Sequence, residues 1–144
     1  MRTNKSKGFS LVEVLLVLAI IGIISAIAIP SFLGQRRRAQ VIGDAISNAK
    51  ALSMMLESRK AEIGIYGAKA TYEWKADGSA ATGPALIPSF QPVGNTKMDY
   101  SVVIDATTLA FVLTVTDPKS GNATMYQTDQ TGAEIKRYDT GKGM

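Results

Sequence analysis

The chain of 144 residues contains no histidine and no cysteine. Without histidine, the commonest general base, the Ser-His and Cys-His nucleophile pairs and most zinc sites are excluded. Without cysteine there is no thiol nucleophile, no iron–sulfur ligation and no disulfide, and cysteine usage says nothing about redox compartment. Only 19% of residues are charged against 46% apolar, and mean hydropathy is near zero, which excludes disorder, collagen and a disulfide-stapled scaffold and fits one small domain. Catalysis would have to use Asp, Glu, Lys, Ser or Tyr. No convergent set of them is legible, so the expectation is a protein that is not an enzyme.

The chain also has few excess charges once they are located. Arg2, Lys5 and Lys7 precede the first apolar run, in a segment without acids. Removing that segment after Gly8 lowers the 16 basic residues to 13 against 12 acidic ones, so the net charge falls from +4 to +1. A basic chain otherwise suggests nucleic acid. Here most of the excess lies in a targeting-like head, and nucleic acid is not indicated.

What is abundant is one apolar run. Residues 9–29 read FSLVEVLLVLAIIGIISAIAI, interrupted by Ser10, Glu13, Gly22 and Ser25. As a helix this run spans roughly 30 Å, the thickness of a bilayer core, and its apolar residues cover every face. It predicts a membrane span. The basic head favours a cytoplasmic amino end, whereas Arg36, Arg37 and Arg38 beyond the span oppose it, so charge alone leaves the orientation open. From the residues alone, a plain signal anchor and a cleaved signal peptide with Ala26-Ile27-Ala28 as its cleavage site both remain open. Neither accounts for Glu13, whose carboxylate costs about 2.5–3.5 kcal/mol to insert.

Lys7-Gly8-Phe9-Ser10-Leu11-Val12-Glu13 resembles the processing site of the type IV pilin family, which includes the pseudopilins of type II secretion and competence systems. The resemblance extends from Met1 to about Ala39: a basic leader, glycine before the cut, phenylalanine after it, glutamate four residues on, then an apolar run to Pro30 and Arg38-Ala39. It implies that a prepilin peptidase cuts between Gly8 and Phe9 and that Phe9 becomes N-methylated. It also implies docking of Glu13 with the amine of another subunit, and polymerisation into a helical filament by inner-membrane machinery. The amino end would face the cytoplasm and the carboxyl domain the outside. The resemblance further implies that the helix opens between Gly22 and Pro30 in the filament; physics alone predicts a kink at Pro30 in the single subunit.

Beyond Pro30 the apolar period changes. Ile42, Ala45, Ala49, Leu52 and Leu56 step by three and four, predicting an amphipathic continuation of the helix to about Lys60 that covers a sheet. The basic triplet Arg36, Arg37 and Arg38 fits either lipid headgroups or a neighbouring subunit. Glycine, proline and small residues then predict a connector over 63–95 with one strand at 71–75, in which Tyr66, Tyr72 and Trp74 either pin the loop or form a binding patch. Strands are predicted at 100–104, 109–116, 124–128 and 134–138.

The resulting layout is an α+β fold: residues 1–8 leader, 9–29 membrane and filament-core helix, 30–62 amphipathic helix, 63–99 surface loop and 100–144 an antiparallel sheet region of three or four strands. Asp117, Asn122, Asp129 and Asp139 are candidate calcium ligands, a property the resemblance extends from major pseudopilins. However, Asp-Pro-x-x-Gly-Asn is ordinary turn chemistry, the aromatic-glycine motif of the pseudopilin site is missing, and no cofactor is the primary expectation. The functional expectation is a pilus subunit in the inner membrane and then in a surface filament. A periplasmic pseudopilin is the alternative, and a membrane-anchored binding domain or hydrolase is the rival from another class.

Overall fold

The computed structural model describes residues 8–138 and divides the chain into two compact units, one ending at Arg37 and the other starting at Arg38. Helix α1, Leu11–Ile63, supplies the first unit and one helix of the second. From Gly8 to Gln40 every residue except Ser25 is exposed, so this stretch has no core of its own. Pro30 lies inside α1, and the helix continues through Gly22 and Pro30 without a break.

In the second unit α1 presents a stripe made of Ala45, Asn48, Ala49, Leu52 and Leu56, all buried. The spacing is that of one helical face, and fully burying each leucine contributes about 1.5–3 kcal/mol. The stripe packs on a single antiparallel sheet in the order β1 (Thr71–Trp74), β2 (Asp99–Ile104), β3 (Phe111–Asp117), β4 (Ala123–Asp129) and β5 (Glu134–Arg137). Alternation along the strands sends Tyr100, Val102, Ile104, Phe111, Leu113 and Val115 into this core. A bulge between Val115 and Thr116 leaves Met125 as an extra residue on β4, so consecutive Met125 and Tyr126 are both buried.

The sheet has five strands rather than three or four, and the addition is β1. It is the strand expected at 71–75 within the connector, which its shortness and the surrounding loop-forming residues had set apart from the sheet. It is secured by its partner β2 on one side and by Thr82 on the other. The Thr82 hydroxyl accepts from the Glu73 amide (3.0 Å) and donates to the Thr71 carbonyl (3.3 Å), which closes that edge against another strand. Strand β3 begins at Phe111, two residues later than the pattern suggested, because Leu109 and Ala110 belong to the preceding turn.

The connector is pinned by its aromatics. Tyr66 and Trp74 are buried, Tyr66 edge-on to Phe111 and Trp74 edge-on to Phe90, while Tyr72 is half-buried with its hydroxyl donating to the Ala68 carbonyl. Gly83 lies flat against the Trp74 indole, where a β-carbon would fall 2.1 Å from the ring. Two residues of α1 clamp the end of the connector. Asn48 donates to the Val93 carbonyl (2.8 Å) and accepts from the Val93 amide (2.9 Å), and Asp44 accepts from the Thr96 hydroxyl (2.6 Å).

Candidate processing and assembly site

The residues singled out for processing occupy the first helical turn and the three residues before it. Gly8, Phe9 and Ser10 lie outside the helix, and α1 starts at Leu11. Phe9 is 87% exposed, so nothing in the described chain shelters the Gly8–Phe9 bond. A β-carbon at Gly8 would meet no atom within 4 Å, so the folded chain itself makes no demand for glycine there.

Glu13 does more than carry charge. Its Oε2 accepts from the Ser10 amide at 3.2 Å, while the Ser10 carbonyl accepts from the Val14 amide at 3.2 Å. This is one arm of a capping box: a carboxylate at the third helical position satisfies an amide that the helix leaves free. The negative charge also lies at the positive end of the helix dipole. Ser10 is therefore a contributor that the sequence reading passed over, although Ser-x-x-Glu ahead of an apolar run is a legible capping signature. Gly22 is open on every side, and Arg36, Arg37 and Arg38 are exposed.

The calcium candidates are not brought together. Asp117 lies opposite Ala123 and Asp129 opposite Val112, which places the two carboxylates at opposite ends of the β3–β4 ladder. Both are occupied locally. Asp117 accepts from the Lys119 amide (2.9 Å) and the Ser120 hydroxyl (2.8 Å); Asp129 accepts from the Thr131 amide (2.8 Å) and hydroxyl (2.6 Å). The Asp129 hydrogen bonds, those of the Thr131 side chain foremost, hold its carboxyl below the usual range. Asn122 is exposed in a left-handed turn conformation, and Asp139 lies outside the described residues. Among the described residues no group of three or more acidic side chains is placed to hold a metal ion. At Asp117, Asn122 and Asp129 the local chemistry is that of turns.

A second polar cluster closes the end of α1. The Tyr66 hydroxyl donates to Glu57 Oε1, Lys60 lies 4.6 Å above its ring, and Arg59 Nε donates to the Tyr66 carbonyl (3.1 Å). Burial, reinforced by the Glu57 carboxylate, pushes the Tyr66 phenol up to about 12. Burial likewise raises Tyr100 to about 12, against the opposing effect of its hydrogen bond from Asn48.

Comparison with known proteins bears on the same residues. The family model for the prokaryotic N-terminal methylation motif matches residues 3–29. Type IV major fimbrial protein FimA of Dichelobacter nodosus is 30% identical over 124 residues, covering 83% of this chain and 76% of that protein. The chain belongs to the type IV pilin family. Fimbrial protein EcpC of Eikenella corrodens is 32% identical to this pilin over 117 residues, which cover 81% of this chain and 66% of that relative, just short of two thirds. A fimbrial protein of Pseudomonas aeruginosa is 48% identical over 52 residues, about a third of each chain. No solved structure matches the chain at the same stringency. The relatives this pilin resembles are fimbrial proteins.

Proposed function

We propose that this pilin is the structural subunit of a type IV pilus, made as a single-pass inner-membrane precursor with its amino end in the cytoplasm. A prepilin peptidase cuts between Gly8 and Phe9, and Phe9 is then N-methylated. Inner-membrane assembly machinery transfers the subunit from lipid into a helical homopolymer at the cell surface. The observation that carries the reading is the methylation motif over residues 3–29, directly continuous with an apolar helix. The physics supports it. A helix exposed and apolar on every side is stable in lipid, and on leaving lipid it needs other apolar helices around it.

Glu13 fits the docking step. It lies four residues from the amino group that cleavage creates on Phe9, at the start of the same helix. An incoming subunit staggered along the filament axis would bring its own amine to an older subunit's Glu13, neutralising a charge that is costly among apolar groups. Gly22 and Pro30 weaken the helix between them, by about 1 kcal/mol for the glycine and through the lost hydrogen bond to the Ala26 carbonyl for the proline. We assign to this stretch a partly extended conformation in the filament, where neighbouring helices replace lipid.

Mass spectrometry of filaments sheared from cells tests the reading. The expected polypeptide begins at Phe9 and carries one added methyl group. A β-carbon at Gly8 meets nothing in the chain itself, which supports a demand for glycine from the peptidase, and Gly8→Val should accumulate as the uncut precursor. Recovery of a chain beginning at Ile29 would identify an ordinary signal peptide and refute the pilin processing route.

A further inference from the structure

Arg36, Arg37 and Arg38 are the only three consecutive charged residues in the chain, and all three are exposed on α1. Elsewhere cations stand singly or find partners in the second unit. Arg59 and Lys60 engage Tyr66, Lys75 pairs with Glu73 (3.4 Å) and Asp99 (3.6 Å), and Arg137 pairs with Glu134 (3.9 Å). The triplet has no such answer on its own helix. Positions 32–35 and 39–42, one helical turn to either side, contain no acid. The nearest acids along the chain are Glu13 and Asp44, and Asp44 already accepts from the Thr96 hydroxyl (2.6 Å). None of the ion pairs among the described residues includes the triplet. Three adjacent positive charges without a counter-charge call for an anion from outside the subunit.

Their place on the helix says which anion. Phe32 and Leu33, 64% and 56% exposed, continue the apolar surface up to the triplet. From Leu11 to Leu33 the helix rises about 33 Å, and the arginines follow within a further 5–8 Å or so. A bilayer has an apolar core of about 30 Å, and its headgroup layers bring the total to about 40–45 Å. With the apolar run in the core, the triplet therefore lies at the depth of the lipid phosphates. Direction matters as well as depth. Successive helical residues turn by about 100°, so the three side chains fan over more than half of the circumference. A neighbouring protein helix meets one face, whereas headgroups surround the helix. Guanidinium groups on long apolar stems reach phosphate from such positions and bind it in bidentate fashion.

We propose that Arg36, Arg37 and Arg38 form a collar that binds the phosphates of anionic phospholipids where α1 leaves the bilayer on its carboxyl side. The inference rests on the membrane-precursor part of the pilus-subunit reading and adds a ligand to it. The collar fixes the outer end of the span in the headgroup layer, and transfer of the subunit into a filament breaks these contacts.

The absence of cysteine allows one reporter to be placed beside the collar. Full-length Gln35→Cys is labelled with bimane and reconstituted in mixed phosphatidylcholine–phosphatidylglycerol vesicles. Bromine near the headgroup, carried by one lipid or the other, quenches the label. A basic residue at an anionic surface enriches the lipid about fivefold, so brominated phosphatidylglycerol should quench several-fold more effectively than brominated phosphatidylcholine. Adding Arg36→Gln/Arg37→Gln/Arg38→Gln should make the two lipids equal, and the corresponding triple lysine variant should keep the preference. Loss of outer cations does not oppose insertion, so the glutamine variant should still span the bilayer. Equal quenching with the arginines present, or a preference that survives the glutamine variant, would overturn the collar and leave the span and the polymer in place. A preference abolished by inorganic phosphate at constant ionic strength would assign the site to free phosphate and overturn it too. Loss of filaments in the glutamine variant with an unchanged lipid ratio would place the triplet against a neighbouring subunit, again overturning it. Quenching by neither lipid would put the helix outside the bilayer, and the membrane reading and the collar would fail together.

Discussion

Replacing Asn48 by alanine removes a side chain that is 3% exposed and serves three partners: the Val93 carbonyl at 2.8 Å, the Val93 amide at 2.9 Å and the Tyr100 hydroxyl at 2.9 Å. The three losses are unequal. Val93 lies at the surface, so water can replace its two hydrogen bonds, and each then counts about 0.5 kcal/mol, the lower end of the usual net range. Tyr100 is buried and its hydroxyl takes the Asn48 hydrogen bond away from water, so its loss of a donor costs about 1–2 kcal/mol. The sum is about 2–3 kcal/mol. For a folded unit of this size that corresponds to a fall of roughly 10–20 °C in the melting temperature. The assay is thermal unfolding of the full chain in detergent, followed by near-ultraviolet circular dichroism, with amide exchange at Val93 measured in parallel. Asn48→Ala should also raise the Val93 exchange rate to that of an open loop. Tyr100→Phe removes only the buried part, so the double variant should be less destabilised than the sum of the single variants. A melting temperature within 2 °C of wild type, or unchanged protection at Val93, would refute the view that one amide clamps the connector.

Other consequences follow from the same contacts. Gly83→Ala drives a β-carbon to 2.1 Å from the Trp74 ring, and displacing a packed indole should cost about 1–3 kcal/mol, read as a lower unfolding midpoint and a changed tryptophan emission. Glu13→Gln retains an acceptor for the Ser10 amide, so the precursor should insert and be cut normally but yield few filaments; a normal filament yield would show that the charge is dispensable. Glu13→Leu removes the cap as well, and should also blur the helix start at Leu11 in backbone chemical shifts. The raised phenols of Tyr66 and Tyr100 set an alkaline limit. The folded state keeps both protons up to about pH 12, whereas an unfolded tyrosine loses its proton near 10. Their contribution is therefore complete below pH 10 and declines as pH rises from 10 to 12, so the melting temperature should fall across that window. Tyr66→Phe/Tyr100→Phe should flatten the decline.

The amino-terminal half of this pilin was legible because its information is local. A run of apolar residues with the right length, a glycine–phenylalanine junction and a single acid at Glu13 need no tertiary partner to be read. The helical stripe was also visible, since Ala45, Ala49, Leu52 and Leu56 repeat with the period of one helix face. The stripe includes Asn48, which periodicity cannot flag because a polar residue is tolerated there only when distant groups meet it, and those groups lie at Val93 and Tyr100, 45 and 52 residues away. Strand β1 was legible at 71–75 as a strand, but its place in the sheet was not, because that depends on the backbone partners that β2 and Thr82 supply. The candidate ligands Asp117 and Asp129 show the opposite limit. Residue type alone suggested a shared site, but an antiparallel hairpin carries the last residues of its two strands to opposite ends of the ladder. The sequence by itself determined the N-terminal methylation motif, the long apolar helix and the amphipathic face. Only the tertiary structure decided which polar side chains act as clamps and which carboxylates stand apart, because hydrogen bonds and ion sites depend on distances between residues that the chain order does not contain.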